Sequence, residues 1–165
     1  MINYANRGMK LEKLIDQMNN VYFEMGIADI RKIPTPVKIL GASKGMIRGH
    51  VMPSTWVDYS GIYDFKCIIF DAKETKGKSW SLKNITDKQY SLLESFDKKG
   101  AIAFLIIHFS DEGKYYYLPF QSLEWAFKRQ SEGGRKSISL SDCEEIAKEI
   151  FVSSEFGLNY LGAIE

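Results

Sequence analysis

Cysteine and histidine are scarce in this 165-residue chain, with two of each. Cys67 and Cys143 are too few for a disulfide framework and lack the spacing of a metal module, so a reducing, cytoplasmic setting is expected. His50 and His108 stand in no HExxH pattern and in no Ser-His-Asp arrangement. The glycines form neither a P-loop nor a dinucleotide fingerprint. No apolar stretch approaches the ~20 residues of a bilayer-spanning helix, and the N-terminus shows no secretory h-region or cleavage site. Charge of one sign is missing as well: 22 basic residues face 21 acidic ones, for a net charge of +1. Bulk attraction to nucleic acid or to an anionic surface is therefore absent.

What is present describes a folded protein. Hydrophobic residues make up 45% of the chain and aromatics 13%, which fits a single domain over residues 1–165 with one substantial core. The charges are unevenly placed. No acid lies between Asp29 and Asp58, whereas Arg31, Lys32, Lys38, Lys44 and Arg48 do. Beyond Ser141 the balance reverses, with six acids against Lys148. A local basic segment on a near-neutral chain suits phosphate contact; its plain alternative is a set of solvated lysines and arginines.

The apolar periodicity predicts an α/β core with a mixed sheet. Leu11, Leu14, Ile15, Met18, Val21 and Tyr22 recur at helical spacing up to Gly26. Pro34 and Pro36 oppose helix and lead into strands at 37–40 and 46–51, flanking a glycine-rich basic hairpin whose tip carries Lys44. Strands are expected at 57–62 and 66–73, then a helix at 86–98 with Thr86 as its N-cap. The nearly continuous apolar run 101–109 reads as a central buried strand, followed by a strand at 114–118. Helices are expected at 121–129 and 141–150, joined by a flexible basic loop through Gly134, Arg135 and Lys136.

Two short patterns carry chemistry. Asp71 and Lys73 close an apolar run, and alternation along a strand puts both on one face. Folded back as a hairpin partner, the Asp58 segment brings a second carboxylate against Asp71. Two carboxylates and an ammonium suit a hard divalent cation and a polarised water. Asp-x-Lys alone occurs by chance in many chains, usually as a solvated strand end. The aromatic residues Trp56, Trp80, Tyr115, Tyr116, Tyr117 and Trp125 fit packing better than base stacking.

The surrounding words narrow the reading. Asn6-Arg7-Gly8-Met9, Pro34-Thr35-Pro36-Val37, Asp58-Tyr59-x-Gly61-Ile62-Tyr63, Asp71-Ala72-Lys73-Glu74-Thr75-Lys76, Asp87-x-Gln89 and Gly134-Arg135-Lys136-Ser137-Ile138 follow one another in this order. Together they resemble the RecU-type Holliday junction resolvases of the PD-(D/E)xK nuclease superfamily, from Asn6 to about Ile138. The resemblance implies a restriction-endonuclease-like mixed sheet flanked by helices, with residues 34–56 as a protruding hairpin that engages the junction centre. It implies Mg²⁺, with Mn²⁺ as a substitute, on Asp58 and Asp71, assisted by Gln89 and the Ala72 carbonyl. Lys73 would hold the attacking water or neutralise charge at phosphorus, and Glu12 would approach the metal from the first helix. Arg7, Lys38, Lys44, Arg48, Lys76, Arg135 and Lys136 would contact DNA. A homodimer would nick four-way junctions symmetrically, leaving 5′-phosphate ends, with a recombinase as a further partner.

The chain departs from the family pattern in places. Asp71 stands where the family usually carries Glu. Thr55 is separated from Asp58 by Trp56 and Val57, which displaces the family's threonine. The span from Pro36 to Asp58 is short, and a basic N-terminal extension is absent. A PD-(D/E)xK nuclease acting on another DNA structure and a non-cleaving DNA-binding regulator of recombination are the two alternative readings.

Overall fold

A computed structural model describes residues 9–53, 55–153 and 157–164. Helix α1 (Met9–Glu24) leads into strands β1 (Ala28–Lys32), β2 (Val37–Ser43), β3 (Met46–Val51), β4 (Tyr59–Tyr63), β5 (Lys66–Thr75) and β6 (Ser79–Ser81). Helix α2 (Asp87–Asp97), β7 (Ile102–Phe109), β8 (Lys114–Pro119) and α3 (Phe120–Ser131) follow. The described chain closes with β9 (Ser137–Ser139), α4 (Leu140–Ile146), β10 (Lys148–Ile150) and the short pair β11 (Val152–Ser153) and β12 (Gly157–Leu158).

Six strands form one mixed sheet in the order β1-β4-β5-β7-β8-β10. Its one parallel pairing joins β5 to β7, through the α2 crossover; the other neighbours are antiparallel. Helices cover both faces, so β5 and β7 must be apolar on both sides. Ile68, Phe70, Phe104 and Ile106 pack towards α1 residues Leu11, Ile15, Met18 and Tyr22. Ile69, Leu105, Ile107 and Phe109 pack on the opposite face with Leu93 of α2 and Phe120, Leu123 and Ala126 of α3. This two-sided burial explains the unbroken apolar run of β7. It also places Asp71, which follows Ile69 by two residues, on the α2 face.

Gly61 shows how tightly β1 and β4 approach. A Cβ there would stand 2.1 Å from the Asp29 carbonyl oxygen and 2.6 Å from Ile30 Cα, both backbone atoms that cannot swing aside. Gly61→Ala should therefore destabilise the fold by about 2–3 kcal/mol, the cost of overpacking a closed site. Urea unfolding checks this; an unchanged midpoint would show that β1 can move away freely.

Three expectations need correcting. The helix expected through Ile150 stops at Ile146, and Ala147 is extended (φ −130°, ψ 170°). The next three residues pair with Tyr115–Tyr117 of β8 and bury Ile150. An open sheet edge beside an apolar side chain outweighs local helix preference. Strand β1 escapes the sequence pattern, because its buried positions, Ala28 and Ile30, give only two beats of alternation. The basic loop before β9 is tied down: Gly134 N–H donates to the Arg129 carbonyl (2.9 Å), and the Arg129 guanidinium bonds the Ser137 carbonyl (2.7 Å) and Asp142 (3.1 Å).

Candidate active site

The β4–β5 register places Tyr59 opposite Phe70, so Asp58, one residue earlier, meets Asp71. Each carboxylate is anchored by the other strand's backbone. Asp58 Oδ2 accepts the Ala72 N–H at 3.0 Å, and Asp71 Oδ1 accepts the Asp58 N–H at 3.3 Å. Asp71 is fully buried, a position that an acid occupies only when charged or polar partners hold it. Its partners are Lys73 Nζ at 2.6 Å and Gln89 Nε2 at 2.7 Å, both on Oδ2. Lys73 keeps 16% of its side chain exposed.

Local sequence explains why Gln89 stands there. Thr86 N-caps α2, its hydroxyl accepting the Gln89 N–H, while Gln89 Oε1 accepts the Thr86 N–H at 3.1 Å. The capping box fixes the side chain in the first turn and points its amide nitrogen at Asp71. Here the Gln89 oxygen serves the helix cap and its nitrogen meets Asp71.

Glu12 is placed differently from expectation. It lies on the α1 face of the sheet, where its carboxylate accepts from Lys32 at 2.8 Å rather than meeting either aspartate. Beside it, the buried Tyr59 hydroxyl donates to Asp16 at 2.9 Å. Lys32 closes β1 opposite Tyr59, and Glu12, Asp16 and Asp58 all favour its charged form. Lys32 belongs to the basic segment read from the sequence, but its pairing with Glu12 and the place of Asp16 beside Tyr59 are not legible there. Their signal is faint: Glu12 and Asp16 are one helical turn apart, and Lys32 closely precedes the proline-bounded hairpin. Thr55 borders a surface groove with α2 residues Asp87, Lys88 and Ser91.

The electrostatics follow from the crowding. Burial, reinforced by the neighbouring Asp71 carboxylate, raises Asp58 from 3.8 to about 7. A folded-state value above the unfolded one means that the folded protein holds a proton the unfolded chain gives up. Stability from this source is complete below about pH 4 and is lost as pH rises towards 7. The metal-free protein should lose on the order of 3–4 kcal/mol across that window. A cation on the pair should restore it, so Mg²⁺ should raise Tm more at pH 8 than at pH 5. Differential scanning calorimetry with and without Mg²⁺ checks this; an equal shift at both pH values contradicts it.

Among the described residues, no group of three or more His, Cys, Asp or Glu side chains is arranged to hold a metal ion. A cation at this site would have two carboxylates, with backbone carbonyl, water and phosphate oxygens completing its shell. That donor set fits Mg²⁺, which binds through one or two carboxylates and substrate phosphates.

The hairpin β2–β3 stands apart as its own two-stranded sheet, and all its residues are exposed. It turns through Lys44 and Gly45, both at positive φ (49° and 78°), the tight two-residue turn whose twist suits a hairpin. The register segregates its faces. Val37 pairs with Val51, Ile39 with Gly49 and Ala42 with Ile47 on one face, whereas Lys38 pairs with His50 and Gly41 with Arg48 on the other. Lys76, Arg135 and Lys136 are exposed around the β6–β9 pairing. Arg7 lies outside the described residues.

A pair of facing carboxylates on neighbouring strands with a lysine, on a helix-flanked mixed sheet, defines a candidate metal-dependent hydrolase. The family model "RecU: Recombination protein U" matches residues 6–165, and the chain belongs to this family. It is 38% identical to the Holliday junction resolvase RecU of Staphylococcus carnosus (strain TM300), over 99% of this chain and 82% of that protein. The corresponding figures are 35%, 99% and 83% for the Holliday junction resolvase RecU of Lactiplantibacillus plantarum (strain ATCC BAA-793 / NCIMB 8826 / WCFS1). They are 36%, 99% and 82% for that of Bacillus pumilus (strain SAFR-032).

Proposed function

We propose that this protein is a divalent-metal-dependent endonuclease that resolves four-way DNA junctions, with Mg²⁺ as its cation. The observation that carries this reading is the convergence of Asp58, Asp71 and Lys73 in a chain of the RecU family. Asp58 and Asp71 would hold the cation, which supplies Lewis-acid charge to a phosphodiester and a source of nucleophilic water. Gln89 keeps Asp71 in place through its amide nitrogen. Lys73 presents a positive charge where a pentacoordinate phosphorus gains negative charge. Attack by water with departure of the 3′ oxygen breaks the P–O3′ bond, leaving a 5′-phosphate and a 3′-hydroxyl. Lys32, held by Glu12, carries a cation at the foot of the hairpin.

Each chain has one such carboxylate pair among its described residues, and a four-way junction has approximate two-fold symmetry. Two copies related by a two-fold axis therefore suit paired cuts. The hairpin, basic on one face and projecting from the site end of β1, suits the open centre of the junction. Incubation of a synthetic junction, labelled on each strand in turn, tests the proposal. With Mg²⁺, nicks should appear at symmetry-related positions on two opposing strands, and linear duplex of the same sequence should be cut far more slowly. Equal cutting of both substrates would favour a different DNA structure; binding without cutting would favour a non-cleaving regulator.

A further inference from the structure

The β6–β9 pairing builds a surface that none of its segments shows alone. Ser79, Trp80 and Ser81 pair with Ser139, Ile138 and Ser137. Trp80 and Ile138 are fully buried in the core on the α2–α3 side. Alternation therefore turns all four serines to the opposite, outer side. Leu82 N–H donates to the Lys136 carbonyl (3.1 Å) and Leu140 N–H to the Lys78 carbonyl (2.9 Å), extending the ribbon by a residue at each end. Lys136 and Arg135 thus stand beside Lys83 at one end, with Lys78 at the other. All four cations are exposed. Lys78 makes a loose pair with Glu112 at 3.6 Å; Lys83, Arg135 and Lys136 make no ion pair among the described residues.

This ribbon is held rigidly and close to the reaction. The strand that carries Asp71 and Lys73 runs on to Thr75, whose hydroxyl donates to the Ser79 carbonyl at 3.0 Å. Gly77 N–H is fixed by Asp111 at 2.9 Å. On the other side, the Arg129 guanidinium bonds both Asp142 and the Ser137 carbonyl and lies 4.5 Å from the centre of the Trp125 ring. A turn at 76–78 sets Ser79 beside Thr75, and the chain runs on from the ribbon through Leu82–Asn84 to α2, where Gln89 meets Asp71 at 2.7 Å, so the ribbon lies beside the active site.

We infer that the β6–β9 ribbon binds the phosphate backbone of the duplex arm that leaves the active site, with Lys83, Arg135 and Lys136 as its cations and the Ser79 and Ser137 hydroxyls as neutral donors, those of Ser81 and Ser139 being engaged as helix caps. Hydroxyls and cations together are the usual phosphate contacts, which position a duplex without reading its sequence. This assignment rests on the nuclease reading for the place of the arm. It differs from the hairpin's role, because an arm is present on junction and linear duplex alike.

The test is fluorescence anisotropy in EDTA, which needs no cleavage, on a junction with ~25-base-pair arms and on linear duplex. Lys83→Glu/Lys136→Glu should weaken both at least ~10-fold near 0.1 M salt, leaving their ratio unchanged. The slope of log K against log salt should fall by about 0.9 for each phosphate that the protein no longer neutralises, close to 1.8 in all. Lys66→Glu/Lys99→Glu makes the same charge change at the opposite pole, where Lys66 borders a cavity with Asp97 and Ala101, and should bind within ~2-fold of the unaltered protein. Full affinity and slope in the ribbon variant would overturn the assignment, as would equal losses in the control variant. If the unaltered protein fails to cut junctions while the ribbon variant still loses duplex binding, the nuclease reading falls and this one stands. If it cuts and the ribbon variant binds normally, the reverse holds.

Discussion

Asp71→Asn should lower Mg²⁺-dependent junction cleavage at least ~100-fold while junction binding survives. The substitution hardly changes volume, and its one side-chain oxygen can accept from either the Asp58 N–H or the Gln89 amide, which now bond different oxygens of Asp71. What it removes is one of the two charges that would hold the cation. It also removes the Asp71 charge that adds to burial in raising Asp58, so Asp58 should move part of the way back towards its ordinary value, and the metal-free variant should lose less stability between pH 4 and 7 than the unaltered protein. Lys73→Ala should abolish turnover by a different route. Its ammonium neutralises Asp71 in the metal-free protein, so its loss should leave cation binding largely intact. Calorimetric titration with Mg²⁺ separates the two; equal loss of cation binding in both variants would contradict the division of roles. Robust Mg²⁺-dependent cleavage by Asp71→Asn would refute the site.

The second large effect belongs to the hairpin. Lys44→Glu/Arg48→Glu should weaken junction binding strongly, flatten its salt dependence by about 0.9 for each phosphate left without a cation, and shrink the preference for junction over linear duplex. The basis is the face segregation: Arg48 and Lys38 share one side of an exposed ribbon, and Lys44 stands at the tip in a left-handed conformation. Such a narrow tip can enter a crowded branch point. Mg²⁺ binding should be unchanged, because the two-stranded ribbon makes up none of the carboxylate pair. Quantitative binding at several salt concentrations decides the matter. A variant that keeps both its slope and its preference would transfer junction selection to Lys32, to Arg7 or to the pairing of two copies.

Much of this arrangement is legible in the residues, and the failures share a physical cause. Asp58, Asp71 and Lys73 can be placed because strand alternation and an antiparallel return are local rules, and the β4–β5 register follows them. Thr86 and Gln89 are readable as a cap and a first-turn residue for the same reason. The capping box that engages the Gln89 oxygen needs the atomic geometry. Glu12 cannot be placed from sequence, since its position depends on how α1 crosses the sheet and on Lys32, which arrives from β1. The β6–β9 ribbon joins segments more than fifty residues apart, and three-residue strands carry too little periodicity to announce a partner. Strand β10 looks helical because Lys148 and Glu149 fit either state; the free edge of β8 decides it.

The most direct measurement of the central claim is the ligation of resolved products. A mobile four-way junction is treated with the protein and Mg²⁺, and the resulting nicked duplexes are offered to DNA ligase without further processing. Water attack at phosphorus with loss of the 3′ oxygen, carried out at two symmetry-related positions, predicts near-complete religation in Mg²⁺ and no product in EDTA. Products that ligase cannot seal, cuts on a single strand, or equal cutting in EDTA would contradict the account.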